Sequence, residues 1–480
     1  MRNKMCLSAR PVIFIMVLTL LLQPFSFCPS EAFALSIEDE EKMGHEAVMQ
    51  IRRYFELMDD DFVNQYFNEL GQFLTIPLEI KHFPYRFYII EDNTLNAFAI
   101  PGGHIFFFAG LIDVMESADE LASILCHEIG HVYARHMAKR MAQSKKIGIA
   151  TLAGILAGVL IGGQAAGALL MGSMAAGIQA QLYYSRNDER QADQLGLKYM
   201  KAAGLDPRGL VSTLKKIEKG NWRGSNQIPP YLLTHPTGPE RMSTIESMLV
   251  DFPPAQPGEK GLMFRRLFPL FQTIVRAKGL EPDVAERIFT RELEKDPNSG
   301  TAHFGLGIVY MESSEYAQAI RHLKQAQKKQ PEFVPILTTL GKTYQMSGDD
   351  KKAIRVLKKA MKLAYEDRSV TFLLGVSYEN LEQYERAVRL FERLAHFEPV
   401  KEEVYYHLGI SYGRLDRLAL AHYNFGIYFK RIGRMDKSIF HFQTALELSE
   451  DDPAMKGKIL KETKEIRRKS RSDVSGRYYP

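Results

Sequence analysis

Cysteine is scarce: Cys6, Cys28 and Cys126 are the three in a chain of 480 residues. A fold stapled by disulfides is excluded, because the first two lie in a segment read below as removable and Cys126 alone has no partner in its own chain. An excess of one charge is also lacking. Lys and Arg number 62 against 57 Asp and Glu, leaving +5, which is too small and too dispersed for a nucleic-acid binder. With 45% hydrophobic and 25% charged residues the chain reads as folded, and its length asks for about two to four domains.

Long apolar runs are few, and the first, Val12 to Phe27, follows Arg2, Lys4 and Arg10 and precedes Ala32-Phe33-Ala34 and an acidic stretch. This is the order of a secretory signal, cleaved after Ala34. Residues 1–34 are therefore expected to be removed. Phe27 ahead of Cys28 is too large for lipidation, and the run is short for a permanent anchor. The second run, 147–185, holds 39 residues without Asp, Glu, Lys or Arg, 17 of them Gly or Ala. Gly154, Gly158 and Gly162 are spaced for close helix contact. Two full spans would need about 40 strongly apolar residues. The preferred reading is a short helical hairpin or lid beside a cleft, touching membrane or a partner, and the alternative is a hairpin that dips into the bilayer.

The region 35–250 ends at Asp251-Phe-Pro-Pro-Ala-Gln-Pro-Gly258, where three prolines in eight residues mark a linker, 251–262. A repeat follows over 263–453. Leu306-Gly307-x-x-Tyr310 recurs at Leu340-Gly341-x-x-Tyr344, Leu374-Gly375-x-x-Tyr378 and Leu408-Gly409-x-x-Tyr412, always 34 residues on. Ala319, Ala353, Ala387 and Ala421 keep the step, as do Leu323, Leu357, Phe391 and Phe425, and Pro297 and Pro331. Gly and Ala suit a close approach of antiparallel helices, the large residues fill the seam, and Pro stops the second helix. The pattern resembles the tetratricopeptide repeat. A degenerate first repeat runs through Ala285 and Phe289, and a last pair ends near Pro453. Gly426 comes only 17 residues after Gly409, a slip of one helix. About five to six helix pairs are expected. Residues 454–480 are a basic tail, with nucleic acid only a minor reading of it.

Chemistry concentrates upstream. Ser117-Ala-Asp-Glu120 has the form of a capping box and opens a helix carrying Cys126-His127-Glu128-Ile-Gly-His131. Four residues apart, His127 and His131 project from one face about 6 Å apart along the axis and can share one metal. Glu128, about 100° round the helix, can reach a metal-bound water without being a ligand. Zinc would lower that water's pKa and the carboxylate would take the proton. The pentapeptide is short enough to arise by chance. A structural zinc would ask for four protein ligands, usually with Cys, and the obvious set is one short; Cys126 points to another face and reads as a core residue. Glu189 and Asp193, i and i+4 on a second helix, offer one carboxylate for the metal and one to orient a histidine.

These segments, with Asn96-Ala-Phe-Ala-Ile-Pro-Gly-Gly103, His104-Ile-Phe-Phe-Phe-Ala-Gly110, Thr234-His235-Pro236 and Arg241, are similar to the secreted and membrane zinc endopeptidases related to the CAAX prenyl protease and the heat-shock protease HtpX. With a signal and C-terminal repeats, the arrangement most resembles the periplasmic branch of that family. The resemblance implies an α+β, mostly helical fold: a zincin-type metallopeptidase domain with a small sheet, then an all-α tetratricopeptide-repeat solenoid. It implies one Zn2+ per chain held by His127, His131 and Glu189, Glu128 as general base, and Asp193 as hydrogen-bond partner of a ligand. His235 would either stabilise the tetrahedral intermediate or occupy the open metal position in a latent state. Asn96 and Ala97 would begin an edge strand, 96–100, that pairs with an extended substrate and forms a small sheet with 104–109. It also implies a place in the periplasm, unfolded or misassembled outer-membrane proteins as substrates, and the beta-barrel assembly machinery as partner of the repeats. No nucleic acid is expected, and peripheral membrane contact stays open. The alternative is a chaperone-like scaffold with a latent protease site.

Overall fold

The computed structural model describes residues 35–143, 185–219 and 229–475. The signal 1–34 and the Gly/Ala segment 147–185, apart from Ser185, lie outside the described residues. Helices α1 (Ile37–Tyr54) and α2 (Asp61–Leu74) come first, with Ser36 and Asp60 capping them by accepting from the backbone N–H of Asp39 and Val63. Strands β1 (Arg86–Ile90), β2 (Ala97–Ile100) and β3 (His104–Phe108) form one sheet in the order β1-β3-β2. β1 runs parallel and β2 antiparallel to β3. Phe87, Ile89, Ala97, Ala99, Ile105 and Phe107 face the main core, while Ile90, Phe98, Ile100, Phe106 and Phe108 pack with Ala47, Val48 and Ile51 of α1. Both faces are covered, which is why these strands read as continuous apolar runs and not as alternation. The strand expected over 96–100 is the sheet edge. β1 had not been foreseen.

α3 (Ala109–Asp113) leads to α4 (Ala118–Tyr133), which is buried along almost its whole length. The capping box expected at its start is half formed. Ser117 Oγ accepts from Glu120 N at 3.2 Å, but Glu120 accepts from Glu116 N and from Lys216 and Ser212, not from the Ser117 N–H. The lysine and serine come from a distant helix, and they draw the carboxylate away. A complete box stands instead at Ser185 and Asp188. After α5 (His136–Gln143) come α6 (Arg186–Ala203), α7 (Arg208–Glu218), α8 (Pro230–Thr234) and α9 (Pro239–Leu249). α4 and α6 cross closely on small residues: a Cβ on Gly130 would meet Ala192 O at 3.0 Å, and one on Gly196 would meet His127 N at 3.3 Å.

The remaining described helices are α10 (Glu259–Gly279), α11 (Pro282–Lys295), α12 (Gly300–Glu312), α13 (Tyr316–Lys329), α14 (Val334–Met346), α15 (Asp350–Leu363), α16 (Arg368–Asn380), α17 (Tyr384–Ala395), α18 (Glu402–Arg414), α19 (Leu418–Arg431), α20 (Met435–Glu447) and α21 (Pro453–Ser475). α10 begins inside the span read as linker, and α21 occupies much of the span read as tail. In four successive pairs one glycine faces one large side chain: Gly307 on Leu323, Gly341 on Leu357, Gly375 on Phe391, Gly409 on Phe425. Gly426 on Phe442 repeats this after 17 residues, so α19 serves as second helix to α18 and first to α20.

α10 is welded to the upstream domain. Gln272 Nε2 donates to Ile112 O at 2.9 Å, Arg276 Nε to Asp113 Oδ1 at 2.7 Å, and Arg265 grips Asp119 at 2.8 Å. Tyr66 Oη donates to Phe264 O at 2.9 Å. The two regions share one continuous core.

Candidate metal centre

The glycine-mediated crossing of α4 and α6 brings His127 and His131 against Glu189 and Asp193. His235, the C-cap of α8, enters from a third direction. One donor atom from each of His127, His131, Glu189 and His235 lies within 4.8 Å of the others, and all four residues are buried. His127 Nε2 is 3.1 Å from His131 Nε2 and 3.3 Å from His235 Nδ1. Glu189 Oε1 is 3.1 Å from His235 Nδ1 and 3.3 Å from His131 Nε2.

The chemistry of this set fits a cation. His127 Nδ1 lies 2.9 Å from Asp193 Oδ1, and a carboxylate accepts only, so the ring proton sits on Nδ1. Its Nε2 lone pair then points, with Glu189 Oε1 and His131 Nε2, at one shared space among the donor atoms. Burial would keep His127 neutral, but Asp193 and Glu189 outweigh it and push its pKa up to about 9. Positive charge is wanted here, and a divalent ion supplies it. Burial carries His131 well below its usual value despite Glu189, so that ring is a neutral donor. Glu189 itself is held well below the carboxylate range, because His235 and Arg241 outweigh its burial.

Arg241 binds both carboxylates of α6: Nη2 to Asp193 Oδ1 at 2.8 Å, Nε to Asp193 Oδ2 at 2.9 Å, and Nη1 to Glu189 Oε2. Its position in the sequence carried no role; the structure gives it one. Glu128 is fully buried, 3.5 Å from His235 Nε2, with neither oxygen hydrogen-bonded among the described residues. Burial raises its pKa. Tyr231 stacks on His235 at 4.5 Å and 24°, and its hydroxyl lacks a partner among the described residues. His136, Gln191 and Tyr231 had not been singled out in the sequence, because none belongs to a spaced motif.

Asn96 precedes β2, and its carboxamide is buried with neither atom hydrogen-bonded among the described residues. Ala97 pairs with Phe107. The gap between β2 and the end of α4, lined by Ala99, Ile100, His131, Val132 and Arg135, holds about 10 Å3, roughly one water. Cys126 lies in the main core, away from the donors.

Residues 45–249 match the model of Peptidase family M48. Tetratricopeptide-repeat models match 276–332, 310–374, 370–396 and 419–452. The Vibrio cholerae putative beta-barrel assembly-enhancing protease is 29% identical over 306 residues, 62% of this chain and 62% of its own length. The Escherichia coli K12 beta-barrel assembly-enhancing protease is 32% identical over 217 residues, 45% of this chain and 44% of its own. The Arabidopsis thaliana mitochondrial metalloendopeptidase OMA1 is 27% identical over 213 residues, 43% of this chain and 41% of its own. The matched stretches thus cover less than two thirds of these relatives. No helix among the described residues is long and apolar enough to cross a membrane. This chain carries a Peptidase family M48 domain followed by tetratricopeptide repeats.

Proposed function

We propose that the chain is a zinc metalloendopeptidase, and the observation that carries this is the convergence of His127, His131 and Glu189 beside the buried carboxylate of Glu128. The ion, when bound, would polarise the scissile carbonyl and acidify its water. Glu128 takes the proton and returns it to the leaving amine. Burial suits it to both steps, since a carboxyl whose pKa is raised holds a proton long enough to give it back. Asp193 keeps the His127 proton on Nδ1, and Arg241 balances the two carboxylates. Asn96 and the outer edge of β2 would receive the extended substrate backbone. The same reading places the chain in the periplasm after loss of residues 1–34. Its substrates would be unfolded or misassembled outer-membrane proteins, and its repeats would bind the beta-barrel assembly machinery, as the names of the relatives suggest.

A second reading, a chaperone-like repeat scaffold with a latent site, is favoured by His235. Its Nδ1 stands among the metal donors, where substrate would have to enter, and the gap at β2 is too narrow for a peptide. Metal content and cleavage of casein, compared between wild type and Glu128→Gln, separate the two. About one zinc per chain with cleavage by wild type alone supports the peptidase. Zinc without cleavage by either supports the scaffold, and absence of zinc overturns the ligand set.

A further inference from the structure

Arg135, just past α4, has φ 54°, a left-handed conformation that is unfavourable for a non-glycine residue. It is held there by its side chain: Nε donates to Glu40 Oε1 at 2.6 Å and Nη2 to the Leu35 carbonyl. Had α4 continued unbroken, residue 136 would lie about 140° round the helix from His131. The reversal at Arg135 folds it back instead, and His136 Nδ1 comes to 2.9 Å from His131 Nδ1. His136 is 1% exposed. Its other nitrogen, Nε2, is 2.9 Å from Gln191 Oε1 and 3.6 Å from Asp188 Oδ1, and Asp188 is fixed in turn by Arg140 at 2.7 Å.

The donors and acceptors can be assigned along this chain. Gln191 Oε1 accepts, so the His136 proton belongs on Nε2, and the Asp188 carboxylate at 3.6 Å favours a proton on that side. His136 Nδ1 is then an acceptor, and His131 must donate to it from Nδ1. The His131 lone pair is thereby left on Nε2, the atom that faces Glu189 and His127. Asp193 does the same for His127 through a carboxylate. The two histidines are thus set by different groups, one charged and one neutral.

We propose that His136 is a positioning residue for the metal centre: a neutral imidazole that accepts from His131, donates to Gln191, and so fixes the ring orientation and tautomer with which His131 binds metal. The inference rests on the metal-site reading above. Partners behind a metal-binding histidine commonly change metal affinity about 10–100-fold when lost.

Two substitutions of similar polarity test it. In His136→Asn the amide oxygen can stand where Nδ1 stands and still accept from His131. In His136→Gln the amide reaches the place of Nε2, keeping the Gln191 side and losing the acceptor. Zinc affinity of the purified chain is measured by competition with a chromophoric chelator, and the visible spectrum of the cobalt(II) form is recorded. The expected result is an Asn variant within about threefold of wild type with an unchanged spectrum, and a Gln variant about tenfold weaker or more with shifted bands. Circular dichroism of the metal-free proteins shows that both are folded; should the Gln variant not fold, His136→Ala, which also lacks the acceptor, replaces it. Equal affinities for the two variants, or a tighter Gln variant, overturn the inference. A wild-type chain that binds no zinc overturns the metal site itself, which is a distinguishable failure.

Discussion

Gly130 on α4 lies so close to Ala192 on α6 that a Cβ at Gly130 would stand 3.0 Å from the Ala192 carbonyl oxygen and 3.1 Å from its Cα. This backbone contact sits one residue from His131 and three from Glu189, so the helix separation there sets the distance between metal donors. Gly130→Val pushes α6 outward. Expected are a loss of stability of about 1–3 kcal/mol and zinc affinity weakened about tenfold or more. Thermal unfolding and chelator competition measure both, and wild-type values would mean that α6 is free to shift.

Arg241 places one guanidinium against both Glu189 and Asp193. Arg241→Met leaves two buried carboxylates facing each other across one turn, a defect of about 3–5 kcal/mol in the metal-free chain. Zinc would replace part of the missing charge. The melting temperature is therefore expected to fall most without zinc, with the gap to wild type narrowing when zinc is added.

His235→Ala leaves three of the four converging donors in place. Zinc should still bind at about one per chain, with weaker affinity, because His235 Nδ1 lies among the donor atoms. Casein cleavage by the zinc-loaded variant then separates the two roles expected for this residue: a rise assigns it to closing the site, a fall to stabilising the reacting carbonyl.

The repeats carry their own acid sensitivity. His303 and His322 face each other through Nδ1 at 2.9 Å, and burial together with His303 pushes His322 down to about 4. An imidazole whose folded pKa is below its unfolded value near 6.5 binds fewer protons when folded. Its stabilising effect is full above about pH 6.5 and is lost as pH falls toward 4. The melting temperature should drop between pH 7 and pH 5, and His322→Phe should flatten that slope.

The sequence by itself determined whatever is local or periodic. The 34-residue step places Gly307, Gly341, Gly375 and Gly409 on one kind of helix contact, because each repeat solves the same packing problem with its neighbour. Helical spacing alone puts His127 and His131 on one face, and Glu189 with Asp193 on another. Only the tertiary structure decided what those faces meet. Glu120 abandons its cap for Lys216 and Ser212, β1 joins β3 in parallel across the intervening β2 segment, and α10 is held to Asp113 and Asp119 by Arg276 and Arg265. The role of Arg241 and the place of His136 behind His131 depend on chain reversals and on helices distant in sequence. No spacing rule records such contacts, since the distance between two side chains across a core is fixed by how backbones cross, here by a glycine that lets α6 come near.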